Sequence, residues 1–191
     1  LIDLRASGGS NAPPISSPVG GGVVLPSGRN VLSMLNLGLN AQINLEMDSF
    51  YSYLAMAAHF ESASLPGMAN WMRMQSEEER VHAMKLFDHM IDRGGKVSLA
   101  PIAQPKLSYD SPISVFEAAL GHEQKVTGAI NALYSLAQSE NDYASQVMLQ
   151  WFINEQVEEE KNAMTAIDQL RMAGSDPSAL LMLDQMFGSR T

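Results

Sequence analysis

Apolar residues recur at steps of three or four in four long segments of the chain, which is the spacing of one face of an α-helix. The pattern predicts long helices over about residues 31–60, 67–93, 112–139 and 142–173, and a short fifth helix from Asp176-Pro177 to about Phe187. We therefore expect an all-α fold in which the long helices pack around one apolar core.

A carboxylate interrupts the apolar face near the middle of each long segment. The interrupting positions are Glu46, Glu79 with His82, Glu123, and Glu155 with Glu159. Antiparallel packing would bring these positions to one height at the centre of a bundle. Excluding water from several negative charges costs far more free energy than packing provides, unless a cation shares the site. The pattern therefore indicates a buried metal centre.

Turn and cap residues predict how the helices are connected. Pro66-Gly67 leaves only a short turn between the first two helices, which makes them antiparallel neighbours, and Gly94-Gly95 ends the second. The segment from residue 96 to 111 contains two prolines and is long enough to travel the length of a bundle as a crossover. The predicted N-caps are Asn30, Ser111 and either Asn141 or Asp142, and Gly174 ends the fourth helix.

Composition narrows the class of protein. The chain has 191 residues, 46% of them hydrophobic, which suffices for one domain core, and it has no cysteine, which excludes disulfides and thiolate metal centres. A net charge of −9 without a basic cluster disfavours nucleic acid, and no apolar run reaches the roughly 20 residues that span a membrane. We expect a soluble, cytoplasmic protein; because the chain begins at Leu1, earlier removal of a targeting segment stays open.

Residues 1–29 differ from the rest, because fifteen of them are Gly, Pro or Ser. Such a segment buries too little apolar area to offset the entropy lost on ordering. We therefore divide the chain into an N-terminal extension, residues 1–29, and a helical metal-binding domain, residues 30–191.

The motifs around the carboxylates resemble those of ferritins, and most closely bacterial non-haem ferritins, from about residue 31 to 187. They are Asn44-Leu45-Glu46 with Tyr53 seven residues on, Glu78-Glu79-Arg80-Val81-His82, His122-Glu123-Gln124, and the run from Leu149 to Lys161. In the ferritin-like template, two helices each contribute a Glu and the other two each contribute Glu-x-x-His. The resemblance implies a four-helix bundle with a long crossover between helices 2 and 3, a short fifth C-terminal helix and a di-iron centre.

An internal repeat predicts that the two metal positions differ. Glu79 lies 33 residues after Glu46, and His82 follows three residues later. The same offsets from Glu123 reach Gln156 and Glu159, so the second half reads Gln-x-x-Glu where a symmetric site would have Glu-x-x-His. A chain that resembled bacterioferritins would carry both histidines. It would also carry the haem-ligating methionine where this chain has Arg80, so we expect no haem.

The resemblance also implies a set of ligands. It places one iron on Glu46, Glu79 and His82, and a second on Glu79, Glu123 and Glu159, with Glu79 bridging and Gln156 in contact with the site. A third iron site would use Glu78, Glu155, Glu158 and Glu159. Tyr53 would hydrogen-bond the centre or lend it an electron.

The function implied by the resemblance is iron storage and detoxification by a ferroxidase. Iron(II) would be oxidised by dioxygen or peroxide and deposited as ferric oxyhydroxide inside a hollow homo-oligomeric shell, of 24 subunits in ferritins. The fifth helix would surround fourfold axes through Leu180, Leu181, Leu183 and Met186. Glu140 and Asp142 would line threefold channels.

Simpler interpretations remain for several of these residues. Runs such as Glu77 to Glu79 are usually solvated helix faces, and Met68, Met72, Met90 and Met148 fit core packing as well as copper binding. Trp151 is expected in the core, and His59, His89 and His122 at the surface or its boundary. Three alternatives stay open: a rubrerythrin, disfavoured without cysteine; a haem-containing bacterioferritin; and a metal-free acidic scaffold.

Overall fold

The computed structural model describes residues 34–189, and within that range it consists of five α-helices and no strand. The helices are α1 Met34–Ser62, α2 Pro66–Asp92, α3 Pro112–Ser139, α4 Tyr143–Ala173 and α5 Pro177–Phe187. The predicted helices are confirmed, with ends that shift by one or two residues. The predicted cap Asn30, the start of α1 at residues 31–33 and the extension of residues 1–29 lie outside the described range. No described helix combines the length and apolarity that a membrane span requires.

The helix ends follow from local side chains. Ser111 and Ser114 form a reciprocal capping box, in which the Ser111 side chain accepts a hydrogen bond from the Ser114 N–H. Asp142 caps α4 by accepting from the Ser145 N–H, so it is the cap of the two candidates. Asn141 instead occupies the left-handed region of the turn, with φ of 54°.

The crossover between α2 and α3 travels along α1. Near the start of α1, the N–H of Ser98 donates to Asn40 Oδ1 and that of Ala100 donates to Asn44 Oδ1, both at 2.7 Å. Near its end, the ring of Tyr109 packs edge-on against His59, with 5.3 Å between centroids. The crossover therefore returns the chain to the end of the bundle where α2 began. As a result, α3 runs parallel to α2 and antiparallel to α1.

Two apolar clusters fill the bundle and leave a polar layer between them. One surrounds Phe60 and Phe116, and the other surrounds Leu39 and Phe152. Along each long helix, the buried carboxylate comes between residues of the two clusters. The layer consists of Gln42, Glu46, Gln75, Glu79, His82, Glu123, Gln156 and Glu159, all of them buried.

One predicted core position on α4 is wrong. The buried face there continues from Phe152 to Gln156 and Glu159, whereas Glu155 is only partly buried. Steps of three and four residues from Phe152 are equally compatible with a helical stripe, so spacing alone could not distinguish Glu155 from Gln156. The rotation of α4 against its neighbours makes the choice.

The fifth helix is attached to the start of α2 by a buried carboxylate. Asp184 accepts hydrogen bonds from the N–H of Gly67 at 3.1 Å and of Met68 at 2.8 Å, so it caps α2 from a distant part of the chain. A Cβ on Gly67 would lie 1.7 Å from the Asp184 carbonyl oxygen, so only glycine fits there. Phe187 is buried against Phe116.

Replacing Asp184 by alanine should lower the free energy of unfolding by roughly 2 kcal/mol, because two buried N–H groups lose their acceptor. Asp176→Ala is the matched control, since Asp176 is exposed and caps only α5 through the Ser178 N–H. Urea unfolding, with limited proteolysis of residues 177–187, measures both effects. Equal losses in the two variants would contradict the anchoring role.

Candidate metal centre

The bundle brings together the six side chains that the resemblance assigns to the di-iron centre. Each of them is at most 5% exposed. Every long helix contributes at least one member at mid-height. They are Glu46 from α1, Glu79 and His82 from α2, Glu123 from α3, and Gln156 and Glu159 from α4.

The side chains of Glu46, Glu79 and His82 form the tightest group. One ligand atom of each lies within 4.8 Å of the others, and His82 Nδ1 lies 3.6 Å from Glu79 Oε2. The edges of Trp151 and Phe152 pack against the imidazole, with centroid distances of 5.5 and 5.8 Å, and fix the orientation of its ring. Two oxygens and one nitrogen thus lie close enough together to bind one metal ion.

When both carboxylates are ionised, two oxygens in this group have no hydrogen-bond donor among the described residues, whereas a proton on Glu46 is shared with Glu79. These oxygens are Oε2 of Glu46 and Oε2 of Glu79, and both are buried. Their companion oxygens are occupied, since Gln42 Nε2 donates to Glu46 Oε1 at 2.7 Å and Gln75 Nε2 donates to Glu79 Oε1 at 3.4 Å. Buried carboxylate oxygens without a donor are costly unless a cation satisfies them. The donor set fits a divalent metal ion such as iron(II).

The opposite side of the layer is differently arranged. The Tyr53 hydroxyl donates to Glu123 Oε1, and Gln156 Nε2 donates to Glu123 Oε2 at 3.2 Å. Glu159 Oε2 accepts from Gln75 Nε2 at 2.6 Å. Glu123 therefore lies in the buried layer with both of its oxygens hydrogen-bonded, and it is not part of the group around His82.

A second potential metal group combines His82 with Glu155 and Glu159, whose ligand atoms also lie within 4.8 Å of one another. Glu155 is half-buried, at the edge of the layer. Of the other two residues predicted for a third iron site, Glu78 is partly buried and Glu158 is exposed. Neither contributes to the two groups found among residues 34–189.

Sequence reasoning missed the two glutamines that donate to the carboxylates. Gln42 and Gln75 each precede a ligand candidate, Glu46 or Glu79, by four residues, so they lie one helical turn away on the same buried face. A repeated Gln-x-x-x-Glu in α1 and α2, with the glutamines 33 residues apart, was the available signal.

Burial raises the pKa of all four carboxylates in the layer. It raises the pKa of Glu46 and Glu79 well above the ordinary range, and neighbouring carboxylates raise both further. Burial and repulsion by Glu123 raise the pKa of Glu159 to about 7. Burial and the charge of Glu123 also raise the pKa of Tyr53, which keeps its hydroxyl a donor. A cation that binds here must therefore displace protons.

The remaining candidate residues have contacts outside the metal groups. His89 lies 2.9 Å from Ser145 Oγ, and His122 lies 2.5 Å from Ser49 Oγ. Glu140 Oε1 accepts from the Leu35 N–H at 3.1 Å, at the start of α1.

All three histidines expected at the surface or its boundary, His59, His89 and His122, are partly buried, as is Trp151, which the sequence had placed in the core. Arg80 is exposed and pairs with Glu77, while Asp142 pairs with Arg93.

The Ferritin-like domain model of the ferritin family matches residues 36–173. The chain belongs to the ferritin family. Bacterial non-heme ferritin of Staphylococcus aureus strain USA300 is 37% identical over 153 residues, which cover 80% of this chain and 92% of that protein. The protein of the same name from Staphylococcus haemolyticus is 38% identical over 153 residues, which cover 80% of this chain and 92% of that protein.

Solved ferritin structures agree with this membership. The crystal structure of an open-pore ferritin from the archaeon Archaeoglobus fulgidus is 44% identical in sequence. It aligns with a TM-score of 0.83 over 84% of this chain and 99% of its own. A humanized archaeal ferritin aligns with a TM-score of 0.82 at 43% identity. The ferritin fold predicted from the sequence is therefore confirmed, and iron storage is the function of the family.

The raised pKa of Glu159 predicts how the stability of the metal-free protein depends on pH. Because the folded state holds a proton on Glu159 that the unfolded chain releases near pH 4.5, the contribution of Glu159 to stability is fully present below pH 4.5 and declines as pH rises toward about 7. Glu159→Gln should flatten this decline and raise the unfolding temperature at pH 7. Thermal unfolding of the metal-free protein from pH 5 to 8 measures the effect.

Glu158→Gln is the matched control for this experiment, because Glu158 is exposed on the same helix. It should preserve the decline of stability with pH that the unmodified protein shows. If Glu159→Gln has the same pH profile as Glu158→Gln, the buried Glu159 does not hold the proton.

Proposed function

We propose that this ferritin stores iron by oxidising iron(II) with dioxygen at the buried carboxylate layer. The observation that carries the proposal is the group of Glu46, Glu79 and His82, whose ligand atoms lie within 4.8 Å of one another and whose carboxylates each have one oxygen without a hydrogen-bond donor. Iron is the substrate and the stored cargo of this reaction. Haem has no part in the proposal, because the chain has Arg80 in place of the haem-ligating methionine that the resemblance predicts for bacterioferritins.

The first iron(II) position in this proposal consists of Glu46, Glu79 and His82. Both carboxylates already accept a glutamine N–H on one oxygen, so the other oxygen is free and its direction is fixed before the ion arrives. One imidazole among carboxylates suits iron(II). Burial favours the protonated form of these carboxyl groups. When the ion binds, it replaces the protons, and its charge then neutralises the carboxylates.

The second position in the proposal uses Glu79, Glu123 and Glu159. A carboxylate oxygen has two lone pairs, so Glu123 can keep its hydrogen bonds from Tyr53 and Gln156 while it binds an ion. Glu79, which the charges of Glu123 and Glu159 also reach, would serve as the bridging ligand. Glu155, with Glu78, Glu158 and Glu159, would then receive iron in transit at a third position.

The reaction is a two-electron reduction of dioxygen. Each of two iron(II) ions gives up one electron, and dioxygen takes both electrons with two protons to form hydrogen peroxide. The two iron(III) ions then react with water to form oxyhydroxide and release protons. The carboxylates of the layer contribute negative charge, which stabilises iron(III) over iron(II). The apolar clusters on either side of the layer keep bulk water away.

Storage of the product requires an enclosed space, which we propose is the interior of a shell of 24 copies. The relatives are ferritins, and the described subunit leaves Leu181, Met182 and Met186 exposed on α5. Leu180 and Leu183 face the subunit core instead. An apolar face of this kind on a short terminal helix favours burial between subunits.

Glu79→Ala should slow aerobic iron(II) oxidation roughly 100-fold, because both metal positions lose a ligand. Glu77→Ala is the matched control, since Glu77 is exposed two residues away and pairs only with Arg80 among the ion pairs of the described residues. Ferric absorbance and oxygen uptake after addition of about two iron(II) ions per subunit measure the rate. Size-exclusion chromatography verifies that both variants assemble.

Oxidation by the unmodified protein that is no faster than in buffer would refute the ferroxidase proposal. The same result with an intact assembly would favour the metal-free acidic scaffold. Haem absorbance in the purified protein would favour a bacterioferritin-like protein.

A further inference from the structure

A chain of hydrogen bonds leads from Glu123 to the surface between α3 and α4. Gln156 Nε2 donates to the carbonyl oxygen and to Oε2 of Glu123, both at 3.2 Å, and lies 3.4 Å from Thr127 Oγ1. Thr127 Oγ1 in turn donates to Glu160 Oε1 at 2.6 Å. Thr127 follows Glu123 by one turn of α3, and Glu160 follows Gln156 by one turn of α4, so the four residues form a two-by-two contact between the helices.

The outer end of this chain lines a surface groove of about 310 Å³. The polar side chains that line the groove are Thr127, Asn131, Gln156 and Glu160, and the apolar side chains include Ile130, Ile153 and Val157. Gln156 is nevertheless only 2% exposed. Its amide therefore separates the groove from the Glu123 carboxylate.

The hydrogen-bonding capacity of each group determines the direction of the chain. Glu160 Oε1 accepts the hydrogen bond from Thr127, so the single hydroxyl proton of Thr127 points toward Glu160. Thr127 then presents lone pairs to Gln156, and these accept only from the amide nitrogen. The amide of Gln156 is thereby held with Nε2 toward Glu123 and Oε1 away from it.

This orientation matters most when an ion binds. The contact between Gln156 and the Glu123 carboxylate weakens as that carboxylate shares its charge with a cation. The carbonyl oxygen of Glu123 and the hydroxyl of Thr127 then remain as acceptors for Nε2. If the amide flipped, Oε1 would face the Glu123 carboxylate, and two acceptors in contact repel each other.

We propose that Thr127 and Glu160 are positioning residues for the second metal position. They fix the amide of Gln156, which holds Glu123 in place between Tyr53 and α4. Neither residue touches the ion. This inference rests on the proposed ferroxidase function, because it concerns the same centre.

Thr127→Val removes the hydroxyl with little change in shape. We expect the second cobalt(II) ion bound per subunit to bind about tenfold more weakly than in the unmodified protein, the loss expected for one orienting hydrogen bond. The first ion should keep its affinity. Anaerobic titration of the metal-free protein, followed by visible absorption, measures both affinities, and anomalous diffraction from cobalt-soaked crystals assigns each ion to its ligands.

Thr127→Ser keeps the hydroxyl and should restore binding of the second ion. Thr165→Val is the matched control, because Thr165 is exposed on α4 and donates only to the Lys161 carbonyl oxygen of its own helix. Both ions should bind that variant as they bind the unmodified protein.

Variants of Glu160 test the outer end of the hydrogen-bond chain. Because Glu160 is partly exposed, its replacement should leave the fold intact. Glu160→Ala removes the acceptor of the Thr127 hydroxyl. It should therefore weaken binding of the second ion, as Thr127→Val does. Glu160→Gln keeps an acceptor for Thr127 and should restore much of the affinity. In iron oxidation assays, Glu160→Ala should raise the iron(II) concentration for half-maximal rate more than it lowers the maximal rate.

The outcomes separate this proposal from the proposed function. An unmodified protein that binds two ions and oxidises iron, with Thr127→Val and Glu160→Ala unchanged in both affinities, would overturn the positioning role alone. If these variants bind both ions more weakly by the same factor, the positioning role is also overturned, because that result indicates a general structural effect. If the unmodified protein binds no second ion, both proposals fail.

Discussion

The exclusion of water from four carboxylates is the constraint on which the rest of this structure depends. Glu46, Glu79, Glu123 and Glu159 lie in one layer, with an apolar cluster above and another below. The clusters provide the stability that the layer by itself cannot, because buried charges cost free energy unless hydrogen bonds or cations satisfy them. Three glutamines and a tyrosine satisfy part of this demand, and the remainder is available to a metal ion.

The two halves of the layer meet this demand in different ways. On the side of α1 and α2, each glutamine leaves one carboxylate oxygen without a donor, and His82 adds a nitrogen ligand. On the side of α3 and α4, both oxygens of Glu123 accept hydrogen bonds. Any ion on the second side must therefore share Glu123 with Tyr53 and Gln156. The difference agrees with the break in the internal repeat, where Gln156 stands in place of a glutamate.

Contacts at the edges of the bundle keep the four helices in register. Asn40 and Asn44 attach the crossover to α1, and Asp184 attaches α5 to the start of α2. A shift of one helix by a single turn would move its carboxylate by roughly 5 Å out of the layer. The polar contacts far from the centre thus contribute to its geometry.

The sequence by itself determined the helices, the antiparallel packing of the first two, the crossover after them and the acidic residues of the layer. Helical period, caps and the spacing between Glu79 and His82 act within one helix, where local geometry is nearly fixed. The tertiary structure alone decided that Gln156 rather than Glu155 is buried, that Gln75 reaches Glu159, and that Glu140 accepts a hydrogen bond from the Leu35 N–H. These outcomes depend on the rotation of each helix about its axis. A step of three or four residues leaves that rotation undetermined, because successive residues differ by roughly 100° around the helix.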